Sequence, residues 1–384
     1  MNLEQEFYNV FKSVPTLSYK APARINLIGE HIDYNGGRVL PCAISSYIRA
    51  FVSKRDDDII SAHSLNIRTT HSIHLSQIQY DKENDWCNYV FGIFYVLRQM
   101  GYSIPHGLNI LINSEIPVGS GLSSSAALLV LICYIANDIY DLKINLKNIA
   151  KIAVKCENEF CGLKCGIMDE AAIALGLRNK CLLLDCSKFE YEYIDLDLGK
   201  YAFVVLKTNK PRALVESKYN ERVEECEKGL AILKEHYQID NLCQLNVEEL
   251  DNVRKLIKDD IIYKRVKHVI SENDRVYEFV RALNKRDIHM LSTLLDASHQ
   301  SLKEDYEVTG IHLDTIVEAA KAAGALGARM TGAGFGGCAI ALIDRSTFIE
   351  FKEKVEEYYF QKLNIKPEVF SVDIVDGPSH EYDF

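Results

Sequence analysis

The 384-residue sequence lacks the features that mark several large classes of protein. Its 44 lysines and arginines are outnumbered by 54 aspartates and glutamates, and a net charge of −10 leaves no basic surface for nucleic acid or an anionic membrane. No apolar run approaches the roughly 18 residues that span a bilayer, and the first residues resemble no secretory signal. We therefore expect a cytoplasmic protein whose partners are small molecules.

The sequence also lacks a Cys-x-x-Cys pair, although it contains 11 cysteines. They are scattered singly, mostly among apolar residues, which predicts buried free thiols. Cys161 and Cys165 are the closest couple, but no histidine cluster accompanies them, so we do not expect a zinc site. There is no internal repeat or linker, and 48% hydrophobic residues suffice for the cores of about two domains.

Residues 116–130, IPVGSGLSSSAALLV, predict an anion-binding loop that leads directly into a helix. Gly119 and Gly121 permit positive φ angles, and Ser123, Ser124 and Ser125 supply hydroxyls around the first helical turn. The free N–H groups of that turn would favour a phosphate. The loop has neither the Walker lysine nor the Gly-x-Gly-x-x-Gly pattern, so an ordinary serine-capped helix stays open as the alternative.

A polar turn follows the first short apolar strand, which breaks at Gly29. Glu30, His31 and Asp33 crowd this turn close to Arg24. Their hydrogen-bonding groups could line a pocket for a polyhydroxylated ligand, although a solvated turn is the alternative.

Two further acids and a glycine turn have possible chemical roles. Glu157 lies near the end of the predicted helix 146–160, where it opposes the helix dipole and would favour a cationic partner such as a metal. Asp169 stands at the edge of a buried helix and could accept a proton from a substrate hydroxyl. A surface glutamate and a helix-start acid are the respective alternatives. The turn at 331–337, TGAGFGG, allows close backbone approach or simply forms a tight hairpin.

Three of these stretches together resemble the GHMP kinase superfamily, with a specific match to its galactokinase family. They are residues 24–37 (RINLIGEHIDYNGG), 117–127 (PVGSGLSSSAA) and 331–337. Further likeness at 86–90, 165–169, 217–222 and 298–302 extends the resemblance over nearly the whole chain. It implies an α+β, two-domain GHMP kinase fold with the active site in the cleft between the domains. Residues 1–195 would form a ribosomal-protein-S5-domain-2-like domain, and residues 196–384 a ferredoxin-like domain.

The resemblance also implies a kinase that uses ATP and Mg²⁺ to phosphorylate the anomeric O1 hydroxyl of galactose. Separately, we expect a monomer. Asp169 would be the catalytic base. Arg24 would keep Asp169 ionised and stabilise the developing charge. Ser125 and Glu157 would hold Mg²⁺.

The family motifs assign binding roles to further residues of this chain. Glu30, His31, Asp33, Gly166, Asp169 and Tyr219 would bind the sugar. The ATP phosphates would lie against Pro117, Gly119, Ser120, Gly121, Leu122, Ser123, Ser124, Ser125 and Ala126.

One departure from the family leaves the substrate open. The family usually has glutamine where this chain has Glu170, which we expect to face away from the site on its helix. Kinases of N-acetylgalactosamine, galacturonate or arabinose are the enzymatic alternatives. A non-catalytic sugar sensor is less consistent with the sequence, because such sensors lose part of the serine-alanine run that is complete here.

Overall fold

The computed structural model describes residues 3–116, 121–210 and 215–381, and these form an α+β protein. Pro117, Gly119 and Ser120 of the predicted phosphate loop therefore lie outside the described residues. In the described part of the chain, no helix is both long and apolar enough to cross a bilayer.

The largest sheet has six strands in the order β13-β1-β3-β6-β4-β5. Its strands are β1 (Leu17–Asn26), β3 (Pro41–Lys54), β4 (Ile59–Ser64), β5 (Thr69–His74), β6 (Leu108–Ser114) and β13 (Ser379–Glu381). A register shift between Pro22 and Ala23 interrupts the long antiparallel pairing of β1 with β3. Because proline cannot donate to a ladder, such an irregularity is where a strand tolerates it.

One face of this sheet is covered by helices gathered around a buried central helix. These helices are α2 (Cys87–Gln99), α3 (Ser124–Ile139), α4 (Leu146–Lys155) and α5 (Met168–Ala174), while α1 (Leu3–Phe11) packs separately, through Phe7, on Phe51 and Leu111. In α3 every residue from 126 to 133 is buried, and α3 packs on β1, α2, α4 and α5. A helix that is apolar all round belongs inside a core, so the N-terminus of α3 is held in place by packing.

The second half of the chain builds a four-stranded antiparallel sheet in the order β10-β11-β9-β12. Its strands are β9 (Tyr201–Lys207), β10 (Gly327–Thr331), β11 (Cys338–Asp344) and β12 (Glu368–Ser371). The helices of this half are α6 (Val215–Lys234), α7 (Leu250–Leu256), α8 (Asp260–Lys285), α9 (Ile288–Glu304), α10 (Gly310–Ala322) and α11 (Phe348–Leu363). A third, small sheet joins β2 (Arg38–Val39), β7 (Lys180–Asp185) and β8 (Glu190–Asp195) in the order β2-β7-β8.

The two halves of the chain are joined by more than the segment between β8 and β9. Strand β13 returns from the second half to the first sheet, where Ser18 pairs with Glu381. An isolated antiparallel bridge between Ile44 of β3 and Ile374 also joins the first sheet to the end of the chain. The domain boundary at residue 195 stays a prediction.

Candidate active site

An open cleft of about 1070 Å³ brings together side chains from both halves of the chain. Most of the predicted site residues line it: Arg24, Glu30, His31, Asp33, Gly121, Ser123, Ser124, Ser125, Glu157, Gly166, Asp169 and Tyr219. Leu122 and Ala126, which we also predicted to contact ATP, are instead buried in the core at 0% and 1% exposure and do not line the cleft. Their apolar side chains anchor the loop and the first turn of α3.

An arginine–aspartate pair lies at the centre of the cleft. Arg24, near the end of β1, donates from Nε to Asp169 Oδ1 at 2.7 Å and from Nη2 to Oδ2 at 2.8 Å. Its third nitrogen, Nη1, donates to the backbone oxygen of Gly121 at 2.8 Å. Only 4% of the Arg24 side chain is exposed, whereas 31% of Asp169 is exposed to the cleft. The guanidinium is thus fixed, and the carboxylate it orients stays accessible to a substrate.

The first hydroxyl of the serine run, that of Ser123, contacts the Arg24–Asp169 pair. Ser123 precedes α3 in the left-handed conformation, with φ +60°, and its side chain makes no capping hydrogen bond. Its Oγ instead donates to Asp169 Oδ2. Ser123 is therefore not an ordinary helix cap, and the N-terminus of α3 faces the cleft with Ser124 and Ser125 beside it.

The third glycine motif packs against the predicted phosphate loop. Gly332 has φ +85°, and a Cβ added there would lie 2.6 Å from the backbone oxygen of Gly121. Thr331 and Cys338 pair across the base of the turn, so the segment is also a hairpin between β10 and β11. Both interpretations of this glycine turn hold, because the hairpin brings Gly332 against the loop.

The polar turn after β1 lies inside the protein and is not solvated. Glu30 is 1% exposed and forms a buried ion pair with Arg329. His31 is 3% exposed; its Nε2 donates to the Ala333 oxygen at 3.1 Å, and its Nδ1 accepts from the Tyr34 hydroxyl at 2.8 Å. Burial lowers the pKa of His31 to about 3, so the ring is neutral. Sugar binding by these two side chains stays a prediction, since both already have protein partners.

Asp33 and Asp169 line the same cleft. Burial, with the nearby charge of Asp169, raises the pKa of Asp33 to about 7. Gly166 packs against the Asp33 carboxylate, and any Cβ at Gly166 would overlap it. The Tyr219 ring lies 5.6 Å from that of His31 and 5.4 Å from that of Tyr34. Asp33 and Tyr219 thus offer a carboxylate and a phenol close to the proposed base.

A group of acids forms another part of the cleft wall. Glu157 lies on a π-helical turn, Cys156–Phe160, that follows α4, and it is 6% exposed. The prediction that Glu170 faces away from the site was wrong: it is 0% exposed, lines the cleft and lies beside Glu157. Burial and the neighbouring Glu157 raise the pKa of Glu170 well above its ordinary value. Its helix α5 is buried on nearly every side and offered no solvated face.

Polar groups that we did not predict position the polar turn after β1, residues 29–37, which we call the sugar turn. Glu272 of α8 accepts from the backbone N–H groups of Gly29 and Glu30, at 3.0 and 3.2 Å, and from Ser298 at 2.8 Å. His268, one turn earlier on α8, donates to the Glu30 oxygen at 3.0 Å. Burial favours a raised pKa for Glu272, but the charges of Arg275 and Arg329, with the hydrogen bond from Arg275, help to outweigh burial, and the pKa is lowered to about 2. The only sequence signal was the spacing of polar residues on one face of a long charged helix.

Comparisons with known proteins identify the family. The galactokinase galactose-binding signature matches residues 5–54, the GHMP kinases N-terminal domain matches residues 88–177, and the GHMP kinases C-terminal domain matches residues 279–361. A galactokinase of Clostridium tetani is 44% identical over 98% of this chain and 96% of its own length. A galactokinase of Staphylococcus carnosus is 41% identical over 98% of both chains.

Solved structures show the same relationship. The crystal structure of Lactococcus lactis galactokinase complexed with galactose superposes with a TM-score of 0.95, at 38% identity and 98% coverage of both chains. The mevalonate kinase of Methanococcus jannaschii shares only the fold, with a TM-score of 0.66 at 21% identity over 94% of this chain and 98% of that one. The chain therefore belongs to the galactokinase family of the GHMP kinases.

Proposed function

We propose that this protein transfers the γ-phosphoryl group of ATP to the O1 hydroxyl of galactose, which gives galactose 1-phosphate and ADP. The observation that carries the proposal is the Arg24–Asp169 pair, which Ser123 joins to the N-terminus of α3 within the cleft that also contains the sugar turn. The galactose-binding signature over residues 5–54 includes that turn.

Asp169 is the group that we assign as general base. It accepts the proton of O1–H as O1 bonds to the γ-phosphorus and the bond from that phosphorus to the departing ADP oxygen breaks. Arg24 is held by its two bonds to Asp169 and a third to the Gly121 oxygen, so it cannot swing away. Its fixed positive charge then stabilises the charge that develops on the sugar oxygen and the transferring group.

The first turn of α3 is the proposed site of the ATP phosphates. Free N–H groups at a helix N-terminus favour an anion, and Ser123, Ser124 and Ser125 lie at this one. The hydroxyl of Ser125 and the buried carboxylate of Glu157 are hard oxygen ligands of the kind that suits Mg²⁺. When bound, the cation would neutralise phosphate charge.

Sugar selection is assigned to Asp33 and Tyr219, which line the cleft and carry strong hydrogen-bonding atoms. A site that pairs with one particular hydroxyl leaves buried groups unpaired when the wrong epimer binds, and such mispairing discriminates strongly. The eleven cysteines are all free and mostly buried, which suits a reducing cytoplasm. Because one chain supplies every proposed site residue, the protein is expected to act as a monomer.

A sugar panel tests the substrate. ADP release is coupled to a spectrophotometric readout with galactose, glucose, N-acetylgalactosamine, galacturonate and arabinose as acceptors. We expect the highest kcat/KM for galactose, with the product identified as the 1-phosphate. A higher kcat/KM for another sugar of the panel would assign the enzyme to that sugar, and galactose binding without ADP release would make the protein a sensor.

A further inference from the structure

Glu170 is a buried charged group that the proposed mechanism does not use. It is 0% exposed, and neither of its carboxylate oxygens has a hydrogen-bond partner among the described residues. Burying a carboxylate without a donor or a counter-charge costs several kcal/mol. The Glu170 carboxylate therefore needs either a proton, which the raised pKa caused by burial and Glu157 favours, or a cation that takes the proton's place.

The neighbours of Glu170 indicate what that partner is. Ligand atoms of Glu157, Cys165 and Glu170 lie within 4.8 Å of one another, and all three residues line the cleft. The Cys165 thiol donates its hydrogen to Glu157 Oε2 at 3.2 Å. It therefore has no hydrogen to donate to Glu170. A glutamine at position 170 could donate its own amide hydrogen to Glu157, but an ionised carboxylate cannot, so a cation that displaces the proton must bridge the two groups.

Two facing carboxylates that open onto a cleft suit a divalent cation with hard ligands. Carboxylate oxygens are the preferred ligands of Mg²⁺ and Mn²⁺, and a greater ligand charge raises the affinity of a site. We propose that Glu170 is a second carboxylate ligand beside Glu157, and that the pair lets the free protein bind a divalent cation before ATP arrives. The inference rests on the proposed function only for the role of Glu157 as a metal ligand.

Mn²⁺ binding to the full-length protein, without nucleotide or sugar, tests this inference directly. Free Mn²⁺ is followed by electron paramagnetic resonance during a titration, and Mg²⁺ is then added as competitor. We expect wild type to bind one Mn²⁺ that Mg²⁺ displaces, and Glu170→Gln to bind it at least roughly tenfold more weakly. Glu159→Gln is the matched control, because Glu159 is exposed on the π-helical turn that contains Glu157 and pairs with Lys155. It should bind Mn²⁺ as wild type does.

Thermal unfolding is a second readout, and its wild-type arm does not depend on any variant being folded. In the absence of nucleotide, Mn²⁺ should raise the Tm of wild type relative to EDTA, because a ligand that binds only the native state stabilises it. Glu170→Gln should show a smaller rise.

Two results would overturn the inference. One is a wild-type protein that, without ATP, takes up no Mn²⁺ in the titration and shows no rise in Tm with Mn²⁺. The other is equal Mn²⁺ affinity in wild type and Glu170→Gln. Either result together with normal galactose turnover would leave the proposed function intact. Mn²⁺ binding that is weakened by Glu170→Gln, but without galactose turnover, would support the inference and contradict the proposed function.

Discussion

Replacing Asp169 with asparagine removes the proposed base while changing little else in shape. Asp169 accepts two bonds from Arg24, at 2.7 and 2.8 Å, and one from Ser123. An asparagine offers one acceptor oxygen, and its NH₂ group must face a donor of Arg24 or Ser123. The variant therefore loses both the proton acceptor and the charge that balances Arg24.

The size of the effect follows from these contacts. General-base catalysis contributes about 10²–10⁴-fold, so we expect kcat to fall roughly 1000-fold, or about 4 kcal/mol. Breaking a buried ion pair costs about 3–5 kcal/mol and an exposed one about 0–1. Arg24 is 4% exposed and Asp169 31%, which places the loss of folding stability between these limits, at about 2 kcal/mol.

The assay is coupled ADP release at saturating galactose and ATP, with ATP binding measured separately by calorimetry. ATP affinity should be retained. Asp296→Asn is the control, since Asp296 pairs with Lys321 at 2.6 Å with a similar exposure but does not line the cleft. It should keep its kcat. If Asp169→Asn retains kcat within about tenfold of wild type, Asp169 is not the base.

Four further predictions concern the sugar and metal sides of the cleft. Ser125→Ala should raise the Mg²⁺ concentration needed for half-maximal turnover, as a Mg²⁺ titration will measure; an unchanged requirement would remove Ser125 from the ligand set. Because the pKa of Asp33 is raised to about 7, kcat/KM for galactose should rise with pH through 7, and Asp33→Asn should abolish that rise. The folded state holds this proton more tightly than the unfolded chain, so the contribution of Asp33 to the free energy of unfolding should fall as pH rises from about 4 to 7. Urea unfolding at a series of pH values should show this fall in wild type and not in Asp33→Asn. Gly166→Ala should displace Asp33 and raise the KM for galactose more than that for ATP, and equal changes in both would contradict the packing at Gly166.

The family and the residues that meet at the cleft could be predicted because three motifs of the sequence occur together. Each motif alone also fitted an ordinary turn or helix cap, because whether a turn binds a ligand depends on residues that are distant in the sequence and close in the fold. Arg24 meets Asp169 across 145 positions and Gly121 across 97. The structure brings these groups together, while their roles in catalysis stay predictions.

The orientation of Glu170 was predicted wrongly for a physical reason. A charged residue on a helix normally marks its solvated face, but α5 has almost no such face. The Glu30–Arg329 pair was likewise missed, because its partners are 299 positions apart and each looks like a surface charge in sequence. Only the packing of α8, α9 and β10 on the sugar turn shows that these charges are buried.

Strand β13 has a consequence for how the chain folds as it is made. The hydrogen bond from Ser18 to the Glu381 oxygen joins residues 363 positions apart. At roughly 5–20 residues per second, a ribosome needs about 20–70 s to synthesise the chain between them. During that time the outer edge of β1 lacks its partner strand and can pair with another nascent chain. The yield of native protein should therefore depend on the speed of translation and on early protection of this edge by a chaperone.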